Sequence, residues 1–126
     1  MKPLIQRTSG LNFVCSQKGT SRYHYIRPLS CSEDPAATFA QVKDLIYRMP
    51  RTVILEATDE YIHALCRSPI FQFPDDLKCL LCMQERVIHV CSASRFGYHD
   101  LWVNRARVER LRRKLKSAQG QALPAK

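Results

Sequence analysis

The residues with the greatest chemical reach gather near the end of the chain: Ser92, Ser94, Arg95, Tyr98, Asp100, Asn104 and Arg105, with Asp75 and Asp76 upstream. A guanidinium makes planar, two-pronged contacts with carboxylates, so Arg95 is expected to meet Asp75, Asp76 or Asp100. Asn104 stands three residues after Leu101 and four before Val108, which places it on the inward stripe of a helix. An amide there must find hydrogen-bond partners or cost about 1–3 kcal/mol, and Ser92, Ser94 and Tyr98 can supply them. Two roles fit this cluster. In the first, Arg95, the acids and Asn104 lock the corner from Phe73 to Leu77 onto the cap of the last helix. In the second, Arg95 and Arg105 receive an anionic ligand at that helix N-terminus. The first is preferred, because a buried paired network fixes register more often than it binds substrate.

Other chemistries find less support. The chain has no glycine-flanked serine elbow, no HExxH and no Walker loop, and nothing orders its Cys and His residues into a nucleophile with an oriented base. Asp75 and Asp76 are adjacent; on a strand they point to opposite faces and cannot flank one substrate bond. No catalytic residue is therefore assigned. The six cysteines, with no secretory signal ahead of them, are read as thiols in a reducing compartment. Cys79 and Cys82 form a CxxC inside an apolar run, and regular alternation would send them to opposite faces. Cys82, His89 and Cys91 share one face of a hairpin, but buried thiols and a cross-strand histidine are the simpler reading, so no metal and no cofactor is expected. His24 and His63 are isolated and read as structural.

Charge narrows the partners without naming one. Twenty Lys and Arg oppose eleven Asp and Glu, a net +9. Arg105, Arg107, Arg110, Arg112, Arg113, Lys114 and Lys116 form a basic stripe interrupted only by Glu109. Such a stripe attracts acidic protein faces or membrane surfaces, or is simply a solvated helix face. Nucleic acid is disfavoured, since neither a helix-turn-helix pattern nor a stacking platform accompanies the charge.

The elements that must position these groups follow from periodicity. Residues 1–20 are polar, contain Gly10 and Gly19, and read as an arm or loop. Residues 21–116 read as a single α+β domain and 117–126 as a flexible tail. A first strand is expected over Tyr23 to Cys31. Asp34 caps a helix with Pro35 at its first position; Phe39, Val42, Leu45 or Ile46, and Met49 recur at helical spacing until Pro50 stops it. Thr52 to Ala57 and Glu60 to Cys66 form a hairpin, Ile70 to Phe73 a further strand, and Leu77 to Cys82 with Val87 to Ser92 a second hairpin about Met83 to Arg86. With that four-residue turn, Lys78 falls opposite Cys91. Asp100 caps a last helix from Leu101 to about Lys116, with Leu101, Val108, Leu111 and Leu115 along one stripe. The order predicts a curved antiparallel sheet of about five strands packed on one face by two helices, helix-grip-like by analogy. No stretch is long and apolar enough to span a bilayer, which suggests a cytoplasmic protein.

The run Ser92-Ala93-Ser94-Arg95-Phe96-Gly97-Tyr98-His99-Asp100-Leu101-Trp102-Val103-Asn104-Arg105-Ala106-Arg107-Val108-Glu109, preceded by Phe73-Pro74-Asp75-Asp76, resembles domain-of-unknown-function family 1499, whose signature is SxSRxGxxDxGxNRxRVExLR. Further likeness at Met49-Pro50-Arg51-Thr52, Tyr61-Ile62-His63-Ala64 and His24-Tyr25-Ile26 extends it over roughly residues 12 to 115. The resemblance implies a fold and a site but no established reaction, and hosts among bacteria and photosynthetic lineages, including a plastid setting. The chain departs from the pattern in carrying Lys78 and Cys91 where the family shows Glu and Arg, Trp102 where it shows Gly, and Cys15 two residues beyond the family's cysteine. Trp102 is expected to cover or fill what lies beneath it. The expected function is a non-enzymatic binding or scaffold domain for an unknown protein or small ligand. The alternatives are a carrier of a small anionic or apolar ligand, with its pocket between the sheet and the last helix, and nucleic-acid binding through the basic helix.

Overall fold

The computed structural model describes residues 12–95 and 101–121. In chain order these form β1 (Phe13–Cys15), β2 (Leu29–Ser30), α1 (Pro35–Tyr47), β3 (Thr52–Ala57), β4 (Tyr61–Arg67), β5 (Pro74–Cys82), β6 (Val87–Ser94) and α2 (Leu101–Gln121). The sheet is antiparallel and runs β1-β6-β5-β4-β3, with β2 pairing beside β1 on β6. Its centre is the β5–β6 hairpin, whose register sets Lys78 against Cys91 as the four-residue turn requires.

Both helices pack on one face. Asp34 accepts a hydrogen bond from the Ala37 backbone at 3.2 Å and Pro35 occupies the first turn, so α1 begins where a capping oxygen meets a preset φ. Its Phe39, Val42 and Ile46 are fully buried. They meet Val108, Leu111 and Leu115 of α2 over Leu77, Cys79, Ile88 and Val90 of the sheet in one core. The opposite face carries a smaller cluster of Cys15, Tyr61, Leu80 and Cys91, with Phe13 against it.

Five expectations are corrected. Tyr23 to Cys31 is largely turn and coil, with Leu29–Ser30 paired to β6 and Tyr25 bridged to Cys15, because Tyr23 and Tyr25 point outward and the edge of β6 is taken first by β1. Residues 13–15 are the strand that occupies that edge, with Val14 and Cys15 fully buried. Ile70 to Phe73 is a turn: Gln72 sits at φ 59°, and Ile70 and Phe71 are 80% and 71% exposed. β5 begins at Pro74 rather than Leu77. At the other end α2 continues past Lys116 to Gln121, since Ser117, Ala118 and Gln119 contain no helix breaker.

Candidate functional site

Alternation along β5 divides the two acids. Asp75 shares the face of Leu77 and Cys79, toward the helices; Asp76 shares that of Lys78 and Leu80, away from them. Each has its own arginine. Asp75, 3% exposed, takes the Arg107 guanidinium at 2.8 Å, and both side chains are nearly sealed from solvent. Asp76 takes Arg95 in a two-pronged contact at 2.8 and 3.0 Å and the His63 Nε2 at 2.7 Å. Burial works against a charged Asp76, but hydrogen bonds from Arg95 and His63 overcome it and hold the carboxyl below its ordinary range.

The inner network reaches further. Ser92 Oγ donates to Asn104 Oδ1 at 2.7 Å, and the same oxygen accepts from Arg107 at 3.0 Å. Arg107 also donates to Ser92 Oγ at 3.0 Å. The Asn104 amide nitrogen donates to Ser94 Oγ at 3.0 Å and to the Asn12 carbonyl at 3.3 Å. Asn104 is fully buried, and both ends of its amide are satisfied. The network ties α2 to β5, β6 and the segment leading into β1. The group that pins the closing helix is thus Arg107 on Asp75; Arg95 and Asp76 pair on the sheet's other face. Tyr98 and Asp100 lie outside the described residues.

The basic stripe divides by orientation. Arg107 points inward. Arg105 donates to the carbonyls of Tyr23 and Tyr25, both at 3.2 Å. Arg112 donates to those of Pro28 and Arg27, both at 2.8 Å, and pairs with Glu109 at 2.9 Å. These two arginines fasten the irregular 23–28 segment to the helix, supplying donors its backbone carbonyls lack. Arg110, Arg113, Lys114 and Lys116 remain exposed. Of the pair expected to receive an anion, Arg95 is paired with Asp76, and Arg105 is oriented by carbonyls that leave its charge in place.

A cleft of about 390 Å³ opens where α2 passes the ends of β3 and β4. Arg51, Arg67, Arg107, Arg110 and Lys114 line it, and none of its described lining residues is acidic. Arg107 is neutralised by Asp75. Arg51 and Arg67 donate to the carbonyls of Arg67 and Gln72 at 3.3 Å, bonds that orient a guanidinium without cancelling its charge. Among the described residues, Arg110 and Lys114 have no acidic partner. Arg51 adopts φ 55°, a conformation that costs a non-glycine residue roughly 1–2 kcal/mol. Sequence reasoning missed Arg51 and Arg67, which carry no periodicity of their own. Trp102 is 70% exposed, so it does not fill the space beneath it.

Cys82, Glu85 and His89 bring one potential metal-ligand atom each within 4.8 Å of one another. His89 also contacts Glu85 at 3.0 Å and Ser16 at 2.9 Å through its two ring nitrogens. Cys91, grouped with Cys82 and His89 by face, lies instead opposite Cys15 of β1.

A family model described as "Protein of unknown function (DUF1499)" matches residues 6–115. The chain belongs to that family. Within this DUF1499 chain the inner network draws on Ser92, Ser94, Asn104 and Arg107 of the signature run, so the run builds the joint between β6 and α2. No curated protein and no solved structure matches it. Among the described residues no helix is long and apolar enough to cross a membrane.

Proposed function

We propose that this DUF1499 chain is a non-catalytic binding domain that takes an anionic group, carboxylate or phosphate, in the cleft beside α2. One observation carries the reading: Arg51, Arg67, Arg110 and Lys114 converge on one concavity with no acid among its described lining residues. Convergent cations lacking counter-charges repel one another, and an anion relieves that repulsion while gaining charge-assisted hydrogen bonds. The saturated inner network supports a rigid wall rather than a reactive centre, because Asp75, Asn104, Ser92 and Arg107 satisfy one another.

The surroundings favour a membrane headgroup as the source of the anion. The 68–73 turn adjoining the cleft raises Ile70 and Phe71 into solvent, and Val103 on the α2 wall is 42% exposed. Apolar side chains beside unneutralised cations suit an interface of anionic lipid.

The test is titration of the full chain with inorganic phosphate and citrate by calorimetry, alongside flotation with vesicles containing phosphatidylserine or only phosphatidylcholine. Arg110→Ala combined with Lys114→Ala is expected to weaken anion binding about tenfold or more while leaving the melting temperature within about 2 °C, as exposed substitutions do. Binding should also fall as salt is raised. Undiminished binding by the double variant would remove the cleft from consideration. Binding to phosphatidylserine vesicles but not to free anions would favour the lipid source.

A further inference from the structure

Cys15 and Cys91 face each other across the β1–β6 ladder. The Ser16 N–H donates to the Val90 carbonyl at 3.0 Å and the Ser94 N–H to the Asn12 carbonyl at 3.0 Å. Antiparallel ladders alternate hydrogen-bonded and non-hydrogen-bonded pairs, so 16/90, 14/92 and 12/94 take the bonded positions and Cys15/Cys91 the other kind. The Cys15 N–H accordingly turns away from β6, to the His24 carbonyl at 2.8 Å. Pairs of that kind hold their Cα atoms about 4.5 Å apart, inside the range that a disulfide spans without backbone movement.

We propose that Cys15 and Cys91 form a peroxide-reactive dithiol, with Cys15 as the nucleophile and Cys91 as the resolving thiol. The hydrogen bond from Cys91 brings the Cys15 thiol down to about 7, against the opposing effect of burial, and donors at Gln17, Thr20 and Ser16 assist. Cys91 keeps its proton, held up by its bond to Cys15 and by burial. The remaining buried thiols contrast with this pair: burial pushes Cys79 up to about 12 and raises Cys66 and Cys31 as well. Cys15 and Cys91 are 0% and 3% exposed, which excludes bulky disulfides and restricts the oxidant to one as small as hydrogen peroxide.

The chemistry balances in two steps. The Cys15 thiolate attacks one peroxide oxygen and the O–O bond breaks; the departing hydroxide takes a proton and leaves as water, with Cys15 now a sulfenic acid. Cys91 then gives up its proton and its sulfur attacks the Cys15 sulfur, expelling the hydroxyl group as a second water. Two thiols and one peroxide become one disulfide and two waters, the sulfurs supplying both electrons. This site lies on the sheet face away from the helices and does not depend on anion binding in the cleft.

The experiment treats the reduced full chain with a few equivalents of hydrogen peroxide, quenches with acid, alkylates in urea and maps the cysteines by mass spectrometry. The expected result is loss of two of the six alkylatable thiols, recovered as one Cys15–Cys91 cross-linked peptide. The rate should rise with pH through a midpoint near 7. In Cys91→Ser, Cys15 should stop at the sulfenic acid and be trapped by dimedone supplied as the chain is unfolded in urea; in Cys15→Ser, Cys91 should stay reduced. Full alkylation of both thiols under conditions that oxidise free cysteine would overturn the proposal. So would a disulfide between any other pair, or a Cys91→Ser protein that, unfolded in urea after peroxide treatment, dimedone does not label.

Discussion

Asp75→Ala isolates the contact that holds α2 to the sheet. The carboxylate and the Arg107 guanidinium have side chains only 4% and 10% exposed. Removing the acid leaves a charged group nearly sealed from water, with Ser92 and Asn104 as its remaining neutral acceptors. Breaking a buried pair in this one-sided way costs about 3–5 kcal/mol. With about 2.1 cal/mol/K of unfolding entropy per residue, 126 residues give roughly 0.26 kcal/mol/K, so each kcal/mol lost lowers Tm by about 4 °C. Thermal unfolding followed by circular dichroism should therefore show a fall of about 12–20 °C. Arg95→Ala is the control, because that side chain is 45% exposed; the loss should be about 0.2–1 kcal/mol, under about 4 °C. Replacing both inner partners, Asp75→Leu with Arg107→Met, should restore much of the stability: no charge is left buried, and the 2.7 Å bond between Ser92 and Asn104 survives. If Asp75→Ala lowers Tm no more than Arg95→Ala does, the inner pair is not what fastens the helix.

Two further outcomes follow from the same two networks. Because the folded Asp76 carboxyl lies below its ordinary value of 3.8, its stabilising effect is present above that value and is lost as pH falls through the folded pKa; Asp76→Asn should therefore flatten the stability curve below about pH 4, measured as urea midpoints against pH. Asn104→Leu removes an acceptor from Ser92 and Arg107 and a donor from Ser94, and at about 1–3 kcal/mol for groups left unsatisfied it should lower Tm by about 4–12 °C.

The second hairpin and both helices are legible in the sequence because each is fixed by local chemistry. A four-residue turn at Met83 to Arg86 sets every pairing of β5 with β6, and Asp34-Pro35 starts α1 at a defined residue. β1 is not legible: a three-residue strand has too short a pattern to distinguish it from loop, and long-range pairing with β6 decides its place. Ile70 to Phe73 has the composition of a strand, but the chain must reverse there to bring β5 back along β4, and sheet closure overrides propensity. The identity of the inner ion pair had a usable signal. Asp75 has the parity of Leu77 and Cys79, so it must face the core and needs a cation there. Arg107, one turn beyond Asn104 and beside Val108, is the residue of the stripe that can supply it. The cleft cations come from β-strand ends and a turn far apart in the chain, and only folding brings them together.

The far edge of the sheet carries its own safeguard. β3 pairs with β4 on one side only, and its Val53 and Leu55 are 56% and 48% exposed, the makings of a sticky border onto which another strand could add itself. The register slips between Ile54 and Glu56, making Leu55 the supernumerary residue of a bulge. That irregularity breaks the row of evenly spaced donors and acceptors which a neighbouring chain would need in order to stack into a ribbon. Deleting Leu55 would straighten the border and lengthen the flat stretch open to such growth, so one misfit residue helps keep molecules of this protein from knitting together.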